Sequence, residues 1–355
     1  MKKQVLNFTK EELKREFTSI GEPSYRASQV YRWIYEKGVS EFSQMTDLGI
    51  SLREKLYEIF TISPFVIKKA LTATDGTIKL LFSLPEGDEI ETVIMSYDKR
   101  ITICVSSQVG CPIKCKFCAT GMMGFKRNLK TYEIIGQVFY AQRYIGKKIT
   151  NVVFMGMGEP LLNYSNIVKS VYILNDKEGY NIGQRRMTLS TVGIVEGIKN
   201  LEEESVRPNL AFSLHAPFDD KRDKIVPINK NYPLSKIIPA LLEYRRVTHR
   251  KITIEYVIIN NVNDSDKDAK RIRDIARTLR AKVNIIPLNP VPGISFVPPK
   301  KKKIEHFSKI VGEKVEVSIR KSKGRDIQAA CGQLRAKYNM EEVSLEYYNN
   351  KYIKT

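Results

Sequence analysis

No apolar run in the chain approaches the roughly 20 residues needed to cross a bilayer, so neither a transmembrane helix nor a membrane partner is expected. No signal-type apolar core follows Met1-Lys2-Lys3-Gln4 either, because the charged stretch Lys10 to Glu16 soon intervenes. A cytoplasmic protein is expected. Cysteine is scarce and its count, five, is odd, which argues against the disulfide framework of a small secreted domain. Acid is also short, with 39 Asp+Glu against 59 Lys+Arg and a net charge of +20. The shortage is uneven. Residues 1–100 hold 15 basic and 15 acidic side chains, so the whole excess lies in 101–355. Such an excess favours a polyanionic partner, most commonly nucleic acid; a Lys-rich solubilising surface is an equal alternative on charge alone.

What is present suits a globular enzyme. At 355 residues, 42% apolar and 28% charged, the chain has room for one large catalytic domain and a smaller module. Its first sixty residues read as short amphipathic helices. Lys10–Phe17 follows Thr9 with Glu12 at capping-box spacing, Tyr25–Glu36 ends before Gly38, and Ser51–Phe60 is the third. Three β-type runs follow, Val66–Thr72, Thr77–Leu84 and Ile90–Ser96, separated by the turn sequences Asp75-Gly76 and Pro85-Glu86-Gly87-Asp88.

From residue 101 strands and helices alternate. Ile101–Ser106, Asn151–Gly156, Met187–Thr191, Asn209–Leu214, Ile252–Ile259 and Lys282–Pro287 are the strands. Thr131–Tyr144, Tyr164–Leu174, Gly193–Leu201, Leu234–Val247 and Asp264–Leu279 are the helices between them, and helix Lys303–Val311 and strand Val315–Ile319 follow. Six β–α repeats imply a parallel sheet with right-handed crossovers. Six, not eight, predicts an incomplete, open barrel. The expected fold is therefore α/β: a partial (β/α)6 barrel over 97–330, a helical accessory module over 1–60, a β linker over 61–96 and a C-terminal segment over 331–355.

Three of the five cysteines, Cys111, Cys115 and Cys118, form a CxxxCxxC loop after the first barrel strand. A four-iron four-sulfur cluster normally takes four thiolates, so a three-thiolate loop leaves one iron open to a small molecule. A structural zinc site is the alternative. It needs a fourth ligand and usually paired cysteines, and the nearest His is His215.

This motif, at the end of the first strand of an incomplete barrel, resembles the radical S-adenosylmethionine superfamily. That resemblance implies one 4Fe-4S cluster, chelation of its open iron by the amine and carboxylate of S-adenosylmethionine, and one-electron cleavage to a 5′-deoxyadenosyl radical. Other strand ends carry polar residues where β/α barrels build active sites. Gly156, Gly158 and Glu159 follow the second strand, Ser190 ends the third, Ser213-Leu214-His215 ends the fourth and Asn289 follows the sixth. Glu159 suits an ammonium group. Each signal alone is weak; five strand ends of one polarity make a stronger case.

Two cysteines remain. Cys104 lies in the first strand, and Cys331 sits in Asp326-Ile327-Gln328-Ala329-Ala330-Cys331-Gly332-Gln333-Leu334. A buried small hydrophobe is the ordinary reading of either, although the neighbours of Cys331 suit a loop better than a core. The segments Cys104–Gly124, Phe154–Tyr164, Thr188–Gly193, Ser213–Pro217, Asn284–Gly293 and Gly324–Leu334 are together similar to the RlmN/Cfr family of rRNA adenine methyltransferases, over most of the chain. The resemblance implies that Cys111, Cys115 and Cys118 bind the cluster. It also implies that Gly158, Glu159, Ser190, Ser213, Leu214, His215 and Asn289 bind S-adenosylmethionine. Cys331 would carry the methyl group, Cys104 would resolve the covalent intermediate and leave a disulfide, and Glu91 would accept a proton.

The segments Gly158–Tyr164 and Ile286–Gly293 look like the RlmN branch, which implies methylation at C2 of adenine over C8. The implied substrates are 23S rRNA and tRNA. Two molecules of S-adenosylmethionine would be used per turnover, one as methyl donor and one as radical source, with a flavodoxin- or ferredoxin-type electron donor and a monomeric protein. Lys126, Arg127, Arg185, Arg186 and Lys300–Lys303 are candidate RNA contacts. A non-catalytic zinc protein that binds RNA, and a radical enzyme acting on a small molecule or peptide, are the competing readings.

Overall fold

The computed structural model of the protein describes residues 2–62 and 65–334; the C-terminal segment beyond Leu334 lies outside the described residues. The chain opens with a short strand, β1 (Lys3–Gln4), and helices α1 (Lys10–Ser19), α2 (Ser24–Tyr35) and α3 (Ile50–Ile59). Strand β2 (Phe60–Thr61) then returns to pair parallel with β1. Helix α1 begins where its cap dictates: Thr9 Oγ1 accepts the Glu12 N–H at 3.3 Å and the Glu12 carboxylate accepts the Thr9 N–H at 2.8 Å. Leu13 and Phe17 of α1 and Val30, Tyr31 and Ile34 of α2 are buried at helical spacing, so the module has its own apolar seam.

Strands β3 (Val66–Thr72), β4 (Ile78–Ser83), β5 (Glu89–Tyr97) and β6 (Arg100–Cys104) form an antiparallel meander. A short strand β7 (Gln108–Gly110), helix α4 (Ala119–Met122) and strand β8 (Phe125–Asn128) follow, with β7 and β8 paired antiparallel so that they close the cysteine loop. Alternation then sets in: α5 (Thr131–Ile145), β9 (Asn151–Phe154), α6 (Tyr164–Asn175), β10 (Met187–Thr191), α7 (Val195–Glu203) and β11 (Asn209–Ser213). Helices α8 (Asp219–Ile225) and α9 (Leu234–Thr248) precede β12 (Ile252–Ile258), α10 (Asp266–Leu279), β13 (Lys282–Pro287), α11 (Lys301–Gly312) and β14 (Val317–Ile319).

One sheet runs through the molecule in the order β14-β13-β12-β11-β10-β9-β6-β5-β4-β3. It is parallel from β6 to β14 and antiparallel from β6 to β3. The expected β linker therefore continues the barrel sheet, and the boundary expected between residues 96 and 97 falls beside the β5–β6 turn. All seven residues of β12 are buried, as they must be in a parallel strand covered on both faces. Helix α8 has no counterpart in the sequence reading. Its run Asp219-Asp220-Lys221-Arg222-Asp223-Lys224 has no apolar periodicity. Among the described residues no helix is long and apolar enough to cross a membrane.

Candidate active site

The cysteine loop is built by close backbone approach. Cys111 N–H donates to Gly124 C=O at 2.7 Å, and Cys118 N–H donates to Cys115 C=O at 3.2 Å. Gly110 has φ 75°, and a Cβ there would stand 1.9 Å from the Gly124 oxygen, so only glycine fits the turn into Cys111. All three thiols line one cavity at the C-terminal ends of the parallel strands. Burial pushes the Cys111 thiol up to about 12 and raises Cys115 and Cys118 as well, each helped by its neighbours' charge. Ionising three clustered thiols in one wall calls for a cationic group to offset their charge.

Among the described residues no three His, Cys, Asp or Glu side chains converge tightly enough to hold one metal ion. A 4Fe-4S cluster asks for less, because each thiolate binds a different iron. The donor set fits that cluster with one iron left over.

The opposite wall comes from the strand ends named by the sequence. Glu159 follows β9, and its two carboxylate oxygens accept the N–H groups of Leu161 at 3.1 Å and Val192 at 2.9 Å. Burial nevertheless raises its carboxyl to about 7. Ser190 Oγ on β10 and Ser213 Oγ on β11 lie 3.1 Å apart. His215 has φ 56°, and Ala216 N–H bonds the Leu214 C=O at 2.7 Å across it, so the ring is presented by a three-residue turn. Val257 N–H donates to His215 Nδ1 at 3.1 Å, which makes Nδ1 the acceptor and leaves Nε2 to carry the proton. Burial, then the Arg222 charge, lower His215 to about 3, so the imidazole is neutral. Asn289 is buried, donates to Cys331 C=O at 3.1 Å and leaves its Oδ1 without a partner. An orphaned acceptor in a cavity wall suits a donor-bearing ligand such as the amine or ribose of S-adenosylmethionine.

Arg222, which the sequence reading missed, organises this wall. It is fully buried and donates to Leu214 C=O at 2.9 Å, Val192 C=O at 2.6 Å, Ser213 C=O at 3.2 Å and Asn229 Oδ1 at 2.7 Å. Its charge lowers the cost of ionising Cys115 and Glu159. Glu255 was missed too, although a lone acid in the apolar run Ile252–Ile259 was a legible signal. It accepts from Asn284 Nδ2 at 2.8 Å and pairs with Arg320 at 3.4 Å.

A second cavity shares Cys118, Gly156, Asn289, Arg320 and Cys331 with the first. Cys104 and Cys331 both line it, whereas the first cavity is lined by Cys331 and not Cys104. Its walls come from β5 and β6 on one side and β14 on the other, strands far apart in sheet order, so the open sheet curls until its β14 edge faces β5 and β6. Cys104 is buried and its thiol is pushed up to about 12, first by burial and then by Cys331. Cys331 is exposed, and all five cysteines are free thiols. The disulfide implied for Cys104 and Cys331 is thus not formed in this structure.

Glu91 is fully buried and lines neither cavity. Its carboxylate pairs with Lys79 at 3.1 Å, and Lys79 also donates to Gln328 C=O at 3.2 Å, beneath the loop that carries Cys331.

The cations proposed from sequence for RNA fare unevenly. Arg127 is engaged by Asp88 at 2.7 Å and by both oxygens of Glu133, and Lys126 by Asp88. These pairs pin β8 to the meander and to α5. Lys303 pairs with Asp264 at 2.7 Å and Lys301 lies 3.8 Å from Glu305. Arg185 and Arg186 immediately precede β10, at the end of the strand opposite Ser190 and the cavities.

Residues 3–62 match the ribosomal RNA large subunit methyltransferase N-terminal domain family, and residues 105–272 match the radical SAM superfamily. A probable dual-specificity RNA methyltransferase RlmN of Thermotoga neapolitana is 48% identical, over 94% of this chain and 98% of its own. A protein of the same name from Dictyoglomus thermophilum is 45% identical over 94% and 97%. The crystal structure of a radical SAM methyltransferase from Sphaerobacter thermophilus superposes with a TM-score of 0.91 at 43% identity, covering 94% of this chain and all of that one. With a three-cysteine loop at the mouth of a partial barrel and likeness of this extent across both modules, the chain belongs to the RlmN family of radical SAM methyltransferases.

Proposed function

We propose that the protein methylates C2 of an adenine in 23S rRNA and in tRNA, with Cys331 as the methyl carrier. The observation that carries this reading is that Cys104 and Cys331 line one cavity, which shares a wall with the cavity of Cys111, Cys115 and Cys118. When bound, the cluster and S-adenosylmethionine supply a carbon-centred radical able to remove a hydrogen atom from an unactivated methyl group.

The chain's own residues do the rest. C2 of adenine is an electron-poor carbon, so a methyl group cannot be delivered to it by simple displacement on a sulfonium. Cys331 Sγ is a soft nucleophile suited to take that methyl first. Its exposed position in both cavities lets it meet a methyl donor and then a base. Gly158, Glu159, Ser190, Ser213, Leu214, His215 and Asn289 would hold S-adenosylmethionine, with the neutral His215 offering an Nε2–H donor. Once Cys331 is joined through its methylene to C2, and the adduct has given up one electron and the C2 proton, Cys104 Sγ attacks the Cys331 sulfur as a thiolate. The sulfur–methylene bond breaks, the methylene takes up the proton given up by the Cys104 thiol, methyladenine leaves and a disulfide remains, which an external dithiol must reduce. Glu91 accepts the C2 proton in this scheme. Because its carboxylate lies behind the cavity wall, the Cys331 loop has to shift for direct contact. A flavodoxin- or ferredoxin-type protein would deliver electrons to a monomeric enzyme.

The test is anaerobic reconstitution with 23S rRNA and tRNA transcripts, digestion to nucleosides and mass spectrometry. The expected product is 2-methyladenosine from both. Exclusive 8-methyladenosine would overturn the C2 assignment, and unmodified RNA would overturn the RNA reading itself.

A further inference from the structure

The two cavities differ in charge. The first contains Glu159 and Glu255 beside its thiols, against the one cation Arg320 among the described residues, which it shares with the second. The second contains Arg320, Lys321 and Lys323 and, among the described residues, no carboxylate in its lining. Its rim is organised by Tyr97: the Arg100 guanidinium lies 4.3 Å from the ring centroid and the Lys323 ammonium 4.8 Å. Arg320 is partly neutralised by Glu255, and the Lys323 charge reaches Asp75. Lys321 is exposed and takes part in no ion pair among the described residues. The rim therefore presents spare positive charge, unlike Arg127 and Lys303, whose charge is consumed by carboxylates.

A cation-rimmed cavity repels a sulfonium with an ammonium and attracts a phosphodiester. A base that must come near both Cys104 and Cys331 finds both thiols in the lining of this cavity. We infer that the second cavity receives the target nucleotide of the RNA, with its flanking phosphates on Lys321 and Lys323 at the Tyr97 rim. The inference rests on the RNA reading above and adds the site and the residues that admit the strand. It also explains why the open side of the barrel faces a basic loop: a base on a polymer has to arrive flipped out of its stack with the backbone left outside.

The test uses reconstituted holoenzyme and a transcript of the 23S rRNA segment containing the target adenine, with affinity measured across a salt series. Lys321→Ala/Lys323→Ala is expected to bind more weakly, with the slope of log affinity against log salt shallower by about 1 per lysine. Lys321→Glu alone, at an exposed side chain, is expected to weaken binding in the same direction, and iron content reports that each variant is intact. Arg185→Ala/Arg186→Ala, at the far end of β10, is expected to keep wild-type affinity. Wild-type affinity and slope in both lysine variants, with a wild type that methylates the transcript, overturn the inference and leave the function standing. A wild type that neither binds nor methylates the transcript overturns the function instead.

Discussion

The backbone N–H of Ala119, one residue past the last cysteine of the CxxxCxxC loop, donates to the carbonyl of Gly332, one residue past Cys331, at 2.8 Å. Thr120 Oγ1 donates to Leu334 C=O at 2.8 Å and Gln333 Nε2 to Pro290 C=O at 2.9 Å. The root of the same loop is fastened elsewhere: Gly324 N–H to Asp75 at 3.1 Å and Thr74 N–H to Asp326 at 2.9 Å. The loop bearing Cys331 is thus laid between the cysteine loop and the meander, and every one of these bonds uses groups other than the Cys331 side chain.

It follows that Cys331→Ala keeps the loop and loses only the sulfur. Iron and sulfide content are expected to equal wild type while methylated nucleoside disappears; methylation at the wild-type rate would remove the carrier role. Cys104→Ala is expected to stall after the carbon–carbon bond forms. A denaturing gel should then show RNA covalently attached to protein, and absence of that band counts against Cys104 as the resolving thiol.

Lys79 and Glu91 form an ion pair that is almost wholly shielded from water. Lys79→Met removes the cation that pairs at 3.1 Å with a buried carboxylate and is expected to destabilise the protein by about 3–5 kcal/mol, read by urea unfolding. Adding Glu91→Gln should recover much of that loss, because the remaining charge goes too. A double variant no more stable than Lys79→Met would show that the pair is not the source of the effect.

Arg222 gives a comparable expectation at the cofactor wall. Arg222→Met leaves the Leu214, Val192 and Ser213 carbonyls without this donor. At about 1–3 kcal/mol per orphaned buried group, a loss above roughly 3 kcal/mol is expected in denaturant unfolding. Arg222→Lys should recover only part, since one ammonium cannot span four acceptors.

Why sequence reading reached some of this and not the rest is physical. The strands were legible because β-branched apolar runs such as Ile252–Ile258 are buried on both faces. Helix α1 was legible because Thr9 and Glu12 form its cap within four residues. The cysteine loop was legible because its ligands are adjacent in sequence. Arg222 was not, because its helix is charged on every side and its importance lies in carbonyls supplied by β10 and β11. Ribbon strands β7 and β8 are too short and polar to announce themselves. The Lys79–Glu91–Gln328 contact joins residues 249 apart from end to end, which no local pattern records.

Glu159 and His215 make a pH test with opposed signs. Glu159 has its carboxyl raised from 4.5 to about 7, so between those values the folded state holds a proton that the unfolded state has lost. Its contribution is fully present below about 4.5 and is lost as pH rises through about 7. His215 is lowered from 6.5 to about 3. Between those values the unfolded state holds the extra proton, so this contribution is present above 6.5 and is lost as pH falls towards about 3. From pH 4.5 to 6.5 the two therefore cancel, and these two groups add no net slope to the stability of metal-free wild type in that window. Glu159→Gln is expected to unmask a fall in stability as pH is lowered, and His215→Gln a rise, each of about 1.4 kcal/mol per pH unit. Urea midpoints at half-unit steps measure both. Identical slopes in the two variants would mean that these groups are not the buried, shifted pair described here.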